Sequence, residues 1–211
     1  MKAIPKRTLL VTCVVILLPM FFGLALWNRL PERMPTHFDF SGTANGYSSR
    51  PFAVIGIPLF ILAMHLFCAV MLRADPKKQN ISEKMAQLVL WVCPAASLFA
   101  GLSVYLSALG FAINVSRFGM VFVGLLFIAI GNYLPKCRHN YTVGIRLPWT
   151  LDDEDNWNHT HRFAGYVWII AGVLTLSGCV AAPHRAPPPP KPSPAAPVIR
   201  PLPPHHPRWH R

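Results

Sequence analysis

Charge is what this sequence has least of. Asp and Glu together number 8 in 211 residues, and charged residues make up 13%. That share is about half the usual quarter of a soluble domain. A soluble chain of this length needs a charged surface, and this one cannot supply it. Paired cysteines are also missing: five Cys are scattered along the chain without a C-x-x-C, which excludes a disulfide-stapled miniprotein. There is no P-loop, no G-x-S-x-G and no H-E-x-x-H. No motif therefore supports phosphoryl transfer, serine hydrolysis or zinc chemistry; no catalytic residue, cofactor or metal is expected. What is present is apolar: hydrophobic residues reach 53%, too many for a disordered chain. The remaining class is a small membrane protein.

The apolar residues are gathered into five uncharged stretches, at 8–27, 52–72, 86–111, 118–134 and 163–182. A helix of about 20 residues spans roughly 30 Å, the thickness of the hydrocarbon core. Chain in hydrocarbon must satisfy its own backbone, and these runs lack the alternation of a membrane strand. The expected fold is therefore all-α, a polytopic transmembrane helical bundle over residues 1–182. The first stretch is longer than a signal-peptide core and no small-x-small site follows Trp27, so it reads as an uncleaved helix. Pro19, Pro58 and Pro94 are expected to kink helices or mark packing sites. Residues 183–211 hold 12 of the 22 Pro and no acid. They read as a disordered, basic polyproline-type tail.

Lys and Arg set the orientation. The N-terminal segment and the second and fourth connections carry eleven of them, against four in the first and third connections. The N-terminus is expected in the cytoplasm. An odd helix count then sends the tail outside, although its charge favours the cytoplasm. The basic charge is spread over loops and tail, which suits anionic headgroups better than nucleic acid. Membrane lipid is the expected partner, and direct nucleic-acid binding is not expected.

Two polar connections have unusual content. The first, LPERMPTHFDFSGTANGYSSRP at 30–51, places Pro35 before His37, Phe38 and Asp39, then Gly42, then Asn45-Gly46 and Tyr47. Asn45-Gly46 is a strong tight-turn signal. His37 and Asp39 share a side of an extended chain. They would form a ligand-contacting pair or, more simply, a local hydrogen bond. The fourth connection, KCRHNYTVGIRLPWTLDDEDNWNHTHR at 136–162, suggests a turn at Asn140 to Gly144. An extended stretch is expected at Pro148 and Trp149. Thr150 would cap a short amphipathic helix running from about Leu151 to Arg162. That helix would lay Trp157 at the membrane interface. Asp155 and His159 share its face, but two groups are too few for a metal. A solvated acidic helix start is the simpler reading.

His65 lies well inside the second stretch, and an intramembrane ionisable residue starts as a functional hypothesis. No Asp or Glu occurs in any of the five stretches to complete a relay. Ser97, Ser103, Tyr105 and Ser107 on the third helix are its candidate partners, and Gly101 offers close packing. With a break at Gly131 and Asn132, these groups would form the polar path of a small transporter or channel. That reading is the alternative to the one that follows.

The first connection resembles the loop after the first helix of the bacterial SdpI family. The pattern falls on Leu30, Pro31, Pro35, His37, Phe38, Gly42, Gly46 and Tyr47. The family's second motif is matched by Gly131, Asn132, Asn140, Gly144, Ile145 and Arg146, then by Pro148, Trp149 and Thr150. It continues through Trp157, Thr160, His161, Arg162 and Gly165. Leu147 stands where a small polar residue is expected. The resemblance implies a multispanning inner-membrane protein, without enzymatic activity, that gives immunity to a secreted toxic peptide. It further implies a signalling role in which a transcriptional repressor is recruited to the membrane. On that reading the loop from Pro35 to Tyr47 meets the peptide. The loop from Asn140 to Arg162 meets the partner protein.

Overall fold

The structure, a computed structural model, describes residues 6–181. The expected tail at 183–211 lies outside the described residues. Among the described residues, five helices are long and apolar enough to cross a membrane, as the charge-free stretches require. The first, α1 (Lys6–Ala25), runs into a 3₁₀ turn at Trp27–Arg29. Strands β1 (Arg33–Phe38) and β2 (Ala44–Ser49) follow, then α2 (Ile57–Ala74), entered through a π turn at Phe52–Gly56. That wide turn sits before Pro58, whose ring and missing N–H disfavour ordinary i→i−4 pairing there. The chain continues with α3 (Glu83–Ala108), α4 (Val115–Tyr133), a short α5 (Pro148–Asp152) and α6 (Glu154–Ala181).

Several helices start earlier than their apolar runs, because polar caps set the starts. Ser82 accepts from Met85 N at the head of α3, and Asn114 from Arg117 N at the head of α4. Asp153 accepts from the N–H groups of Asp155 and Asn156 at the head of α6. Each fills orphan donors of a helix terminus. The expected short helix at 151–162 is therefore the opening of α6, continuous with the fifth span. Pro148 begins the one-turn α5 rather than an extended stretch, its fixed φ suiting a first helical position.

The first connection is a β-hairpin. Arg33 pairs with Ser49, Pro35 with Tyr47 and His37 with Gly46, with register shifts on either side of His37. The turn lies at Asp39 to Thr43, where Asp39 N donates to Thr43 O and Gly42 takes φ 84°. Asn45-Gly46, expected as the turn, is inside β2. The Asp39 carboxylate accepts from Ser41 N and Thr43 N, a local loop that out-competes a turn two residues further on.

The helices form two groups. In the first, α1 packs against α2 and α3 through specific polar ties. Ser97 Oγ donates to Ile16 O at 2.8 Å and Tyr105 OH to Pro19 O at 2.7 Å. Pro19 disturbs the hydrogen-bond ladder of α1, and hydroxyls from α3 reach carbonyls beside it. Gly101 leaves the space Pro19 needs, since a Cβ there would meet Pro19 Cβ at 2.6 Å. In the second group, α4 and α6 lie backbone against backbone. A Cβ on Gly131 would meet Gly165 O at 2.8 Å, and one on Gly172 would meet Gly124 O at 2.7 Å. Small residues are what permit such approach in a membrane. The groups meet at one end in a buried cluster where Trp157 of α6 and Cys137 pack with Ala69 and Leu72 of α2 and Met85, Ala86 and Leu90 of α3, and farther along where Phe99 of α3 stacks on Phe122 of α4 at 4.9 Å.

Candidate functional site

The two polar connections sit at opposite ends of the bundle. At one end the hairpin covers Leu30, Met34, Val54 and Val104, an apolar cluster between α2 and α3. Arg50 holds its base: Nη1 donates to Trp27 O and Leu30 O, and the guanidinium lies 4.6 Å over the Trp27 ring. The turn rests on the start of α4. Ser116 Oγ donates to Asp39 O at 3.0 Å, and Gly42 lies so close to Asn114 that a Cβ would meet its Oδ1 at 2.9 Å. The hairpin thereby bridges the two helix groups.

Beneath it, where the groups separate, is a cavity of about 570 Å³. Its roof is His37, Phe38, Asp39, Phe40 and Asn45; its walls include Phe99 of α3, Ser116 and Met120 of α4, and Thr175 of α6. The volume falls within the range of small-molecule pockets. His37 and Asp39 do face one space, but they do not bond each other. His37 Nδ1 pairs with Asn45 Oδ1 at 2.6 Å. Asn45 Oδ1 only accepts, so Nδ1 carries the proton, and in the neutral ring Nε2 is an acceptor. Asp39 Oδ1 accepts from Ser41 N, Ser41 Oγ and Thr43 N. The Ser41 hydroxyl, then the Thr43 amide, hold this carboxyl below the ordinary carboxylate range, so it is anionic at neutral pH. Among the other motif residues, Pro35 is buried, Gly46 leaves room for His37 Cβ, and Tyr47 is exposed.

At the other end the loop 136–153 folds over Trp157. This indole is fully buried, not interfacial, and its Nε1 donates to Cys137 O at 2.7 Å. His161 stacks on it at 4.0 Å. His161 Nε2 accepts from Ile145 N and Nδ1 donates to Trp157 O, so both ring nitrogens are committed and the ring is neutral. Gly144 crosses against the stacked rings at φ 116°, where a Cβ would strike His161 Nε2. Asn140, fully buried, accepts from Thr142 N and Val143 N and donates to Arg138 O. Thr150 ties Leu147 N to Ile145 O. Its hydroxyl thus braces α5 and does not cap the long helix. Burial pushes the Cys137 thiol up to about 11.

The outer surface of this loop carries Arg146, Trp149 and Arg162, all exposed. Arg146 Nη1 donates to Tyr141 O. Asp155 and His159 are exposed too, and among the described residues no three His, Cys, Asp or Glu side chains converge. Gly131 and Asn132 lie within continuous α4 and make no break. Gly131 packs on Gly165, and Asn132 Oδ1 accepts from Lys136 Nζ at 3.3 Å.

Sequence reasoning missed the seat of this loop. The buried Asp75 carboxylate accepts from Lys77 N on one oxygen, and from Tyr141 N and Thr142 Oγ1 on the other. Lys77 Nζ meets His139 Nδ1 at 2.8 Å, and Asn80 Nδ2 donates to His139 O. The turn between α2 and α3 is thus bonded to the loop after α4. Asp75 carries no local signal of this role, since its loop partners Tyr141 and Thr142 lie more than 60 residues away.

His65 is buried, but its partner is Thr12 of α1 at 2.9 Å, not a third-helix hydroxyl. Ser97 and Tyr105 are occupied by α1 carbonyls. The void beside them measures about 10 Å³, at most the space of a single water. The expected polar path does not assemble from these groups.

Five spanning-length helices among the described residues, with two ordered polar ends, define a multi-pass membrane protein. In sequence the chain is similar to the SdpI family. Residues 136–190 match the SdpI/YfhL protein family, and residues 14–62 match a domain of unknown function, DUF1648. The first of these segments contains the Trp157 end and the second contains the hairpin. Over 169 residues the chain is 25% identical to the Immunity protein SdpI of Bacillus subtilis (strain 168), covering 78% of each. No solved structure matches.

Proposed function

We propose that this chain is a membrane immunity protein that gives resistance to a secreted toxic peptide. The hairpin end, from Pro35 to Tyr47, is where the peptide is met, and it faces outward, with the N-terminus in the cytoplasm. The loop end faces the cytoplasm. Its exposed Arg146, Trp149 and Arg162 offer a surface to a partner protein such as a transcriptional repressor. The observation that carries this reading is the hairpin roof over an open cavity, in a chain 25% identical to an immunity protein over 78% of its length. Binding alone accounts for such a role, and no bond need be made or broken.

The test is survival of a toxin-sensitive bacterial strain expressing the full chain, challenged with a secreted toxic peptide over a range of doses. A rise in the tolerated dose is expected, and its loss on replacing His37 or Phe38 with Ala. No gain in survival at any dose, with the protein present in the membrane, overturns the reading.

A further inference from the structure

The cavity at the seam has a distinctive chemistry. Its walls are mostly apolar, with Phe99, Met120 and Val123 below and Phe38 and Phe40 above. One charged side chain lines it, the Asp39 carboxylate. Oδ1 of that group is saturated by the turn, while Oδ2 takes no hydrogen bond among the described residues. Beside it are His37 Nε2, an acceptor, and the Asn45 amide N–H groups, donors with no partner among the described residues. The roof therefore presents two acceptors, one of them anionic, next to a donor pair.

We infer that this cavity binds the amino-terminal end of an apolar peptide, its ammonium on Asp39 and His37 and its first side chains among the phenylalanines. The inference rests on the peptide-immunity reading and names the part of the peptide that is recognised. Charge complementarity selects the ammonium: an apolar site with a single carboxylate rejects anions and favours a cation that brings its own apolar body. The Asn45 amide suits the first peptide carbonyl, which adjoins that ammonium. An acyl chain is the poorer occupant. The wall hydroxyls of Ser116 and Thr175 are already bonded to backbone carbonyls, but a lipid tail would cover Asp39 Oδ2 and the Asn45 amide in the roof without pairing them.

The experiment uses the full chain in phosphatidylcholine nanodiscs. The probe is a synthetic peptide, Leu-Phe-Leu-Ala-Gly-Ser, with a fluorophore at its carboxyl end, followed by anisotropy. Saturable binding is expected, weakened at least tenfold when the peptide's amine is acetylated. Asp39→Asn keeps the turn-binding oxygen and removes the charge. It should weaken the free-amine peptide roughly three- to tenfold and leave the acetylated one unchanged. Gly119→Leu fills the cavity from α4, away from the hairpin, and should abolish both. Equal binding of the free and acetylated peptides overturns the inference. So does indifference to both substitutions, or complete displacement by phosphatidylethanolamine, which would mark a lipid site. Survival assays on the same variants separate the two proposals. Protection undiminished by Asp39→Asn and Gly119→Leu refutes the cavity and keeps immunity. Peptide binding with the expected pattern but no protection refutes immunity and keeps the site.

Discussion

The two ends of the molecule use polar residues in opposite ways. Around Trp157 most polar groups are spent inward: Asn140, Thr150, His161 and Asp75 each bind backbone of the loop they organise. Under the hairpin, Asp39, His37 and Asn45 each commit one atom to the fold and keep another for the cavity. Saturated buried networks rigidify a structure, whereas uncommitted groups on a roof are what a binding site needs. The lesson is that motif residues of the two ends answer different questions, the first about folding and, on the proposed function, the second about recognition.

Substitutions should break that contrast if it is wrong. The largest effect is expected for Trp157→Ala, which empties the centre of the loop end and orphans Cys137 O. It should cost about 3–5 kcal/mol, read from thermal or denaturant unfolding in detergent. A loss below about 1 kcal/mol would mean the loop stands without its core. Gly131→Leu comes next. It drives a side chain into Gly165 O and should cost about 1–3 kcal/mol, seen as a lowered Tm. Ser97→Ala removes one hydroxyl from the α1–α3 contact and should cost about 0.6 kcal/mol, the average for hydrogen bonds between membrane helices. Phe40→Ala sharpens the contrast from the other side. Phe40 is fully exposed on the turn, so stability should move by less than about 0.5 kcal/mol while toxin tolerance falls. The smallest effect is no effect at all. With the Cys137 thiol raised to about 11, its thiolate fraction stays negligible from pH 7 to 9, so maleimide labelling at this position should stay near zero across that range.

The spans were legible because hydrocarbon imposes one requirement, a long run without charge, that composition displays directly. Their starts were less so, since Ser82, Asn114 and Asp153 act through single hydrogen bonds outside the apolar runs. The hairpin was hidden by its own irregularity: Pro35 and the register shifts around His37 erase strand alternation, and Asn45-Gly46 advertises a turn that Asp39 takes instead. Trp157 was placed at the interface because an indole on a short amphipathic helix belongs there. Only the crossing of Gly144 over its ring, from 13 residues earlier, shows it to be a core residue. Asp75 and His139 depend on a turn and a loop meeting across the bundle, a contact no local pattern encodes.

The glycine contact between α4 and α6 has a mechanical consequence. Where backbones touch, no side chain can change rotamer to absorb a displacement, so the pair behaves as a stiff rod. With 19 residues in α4, that rod is about 28 Å long. The hairpin is fastened to its head through Ser116, and the Trp157 loop grows from its foot. A tilt of that rod at its head would therefore move its foot, at the opposite end of the bundle.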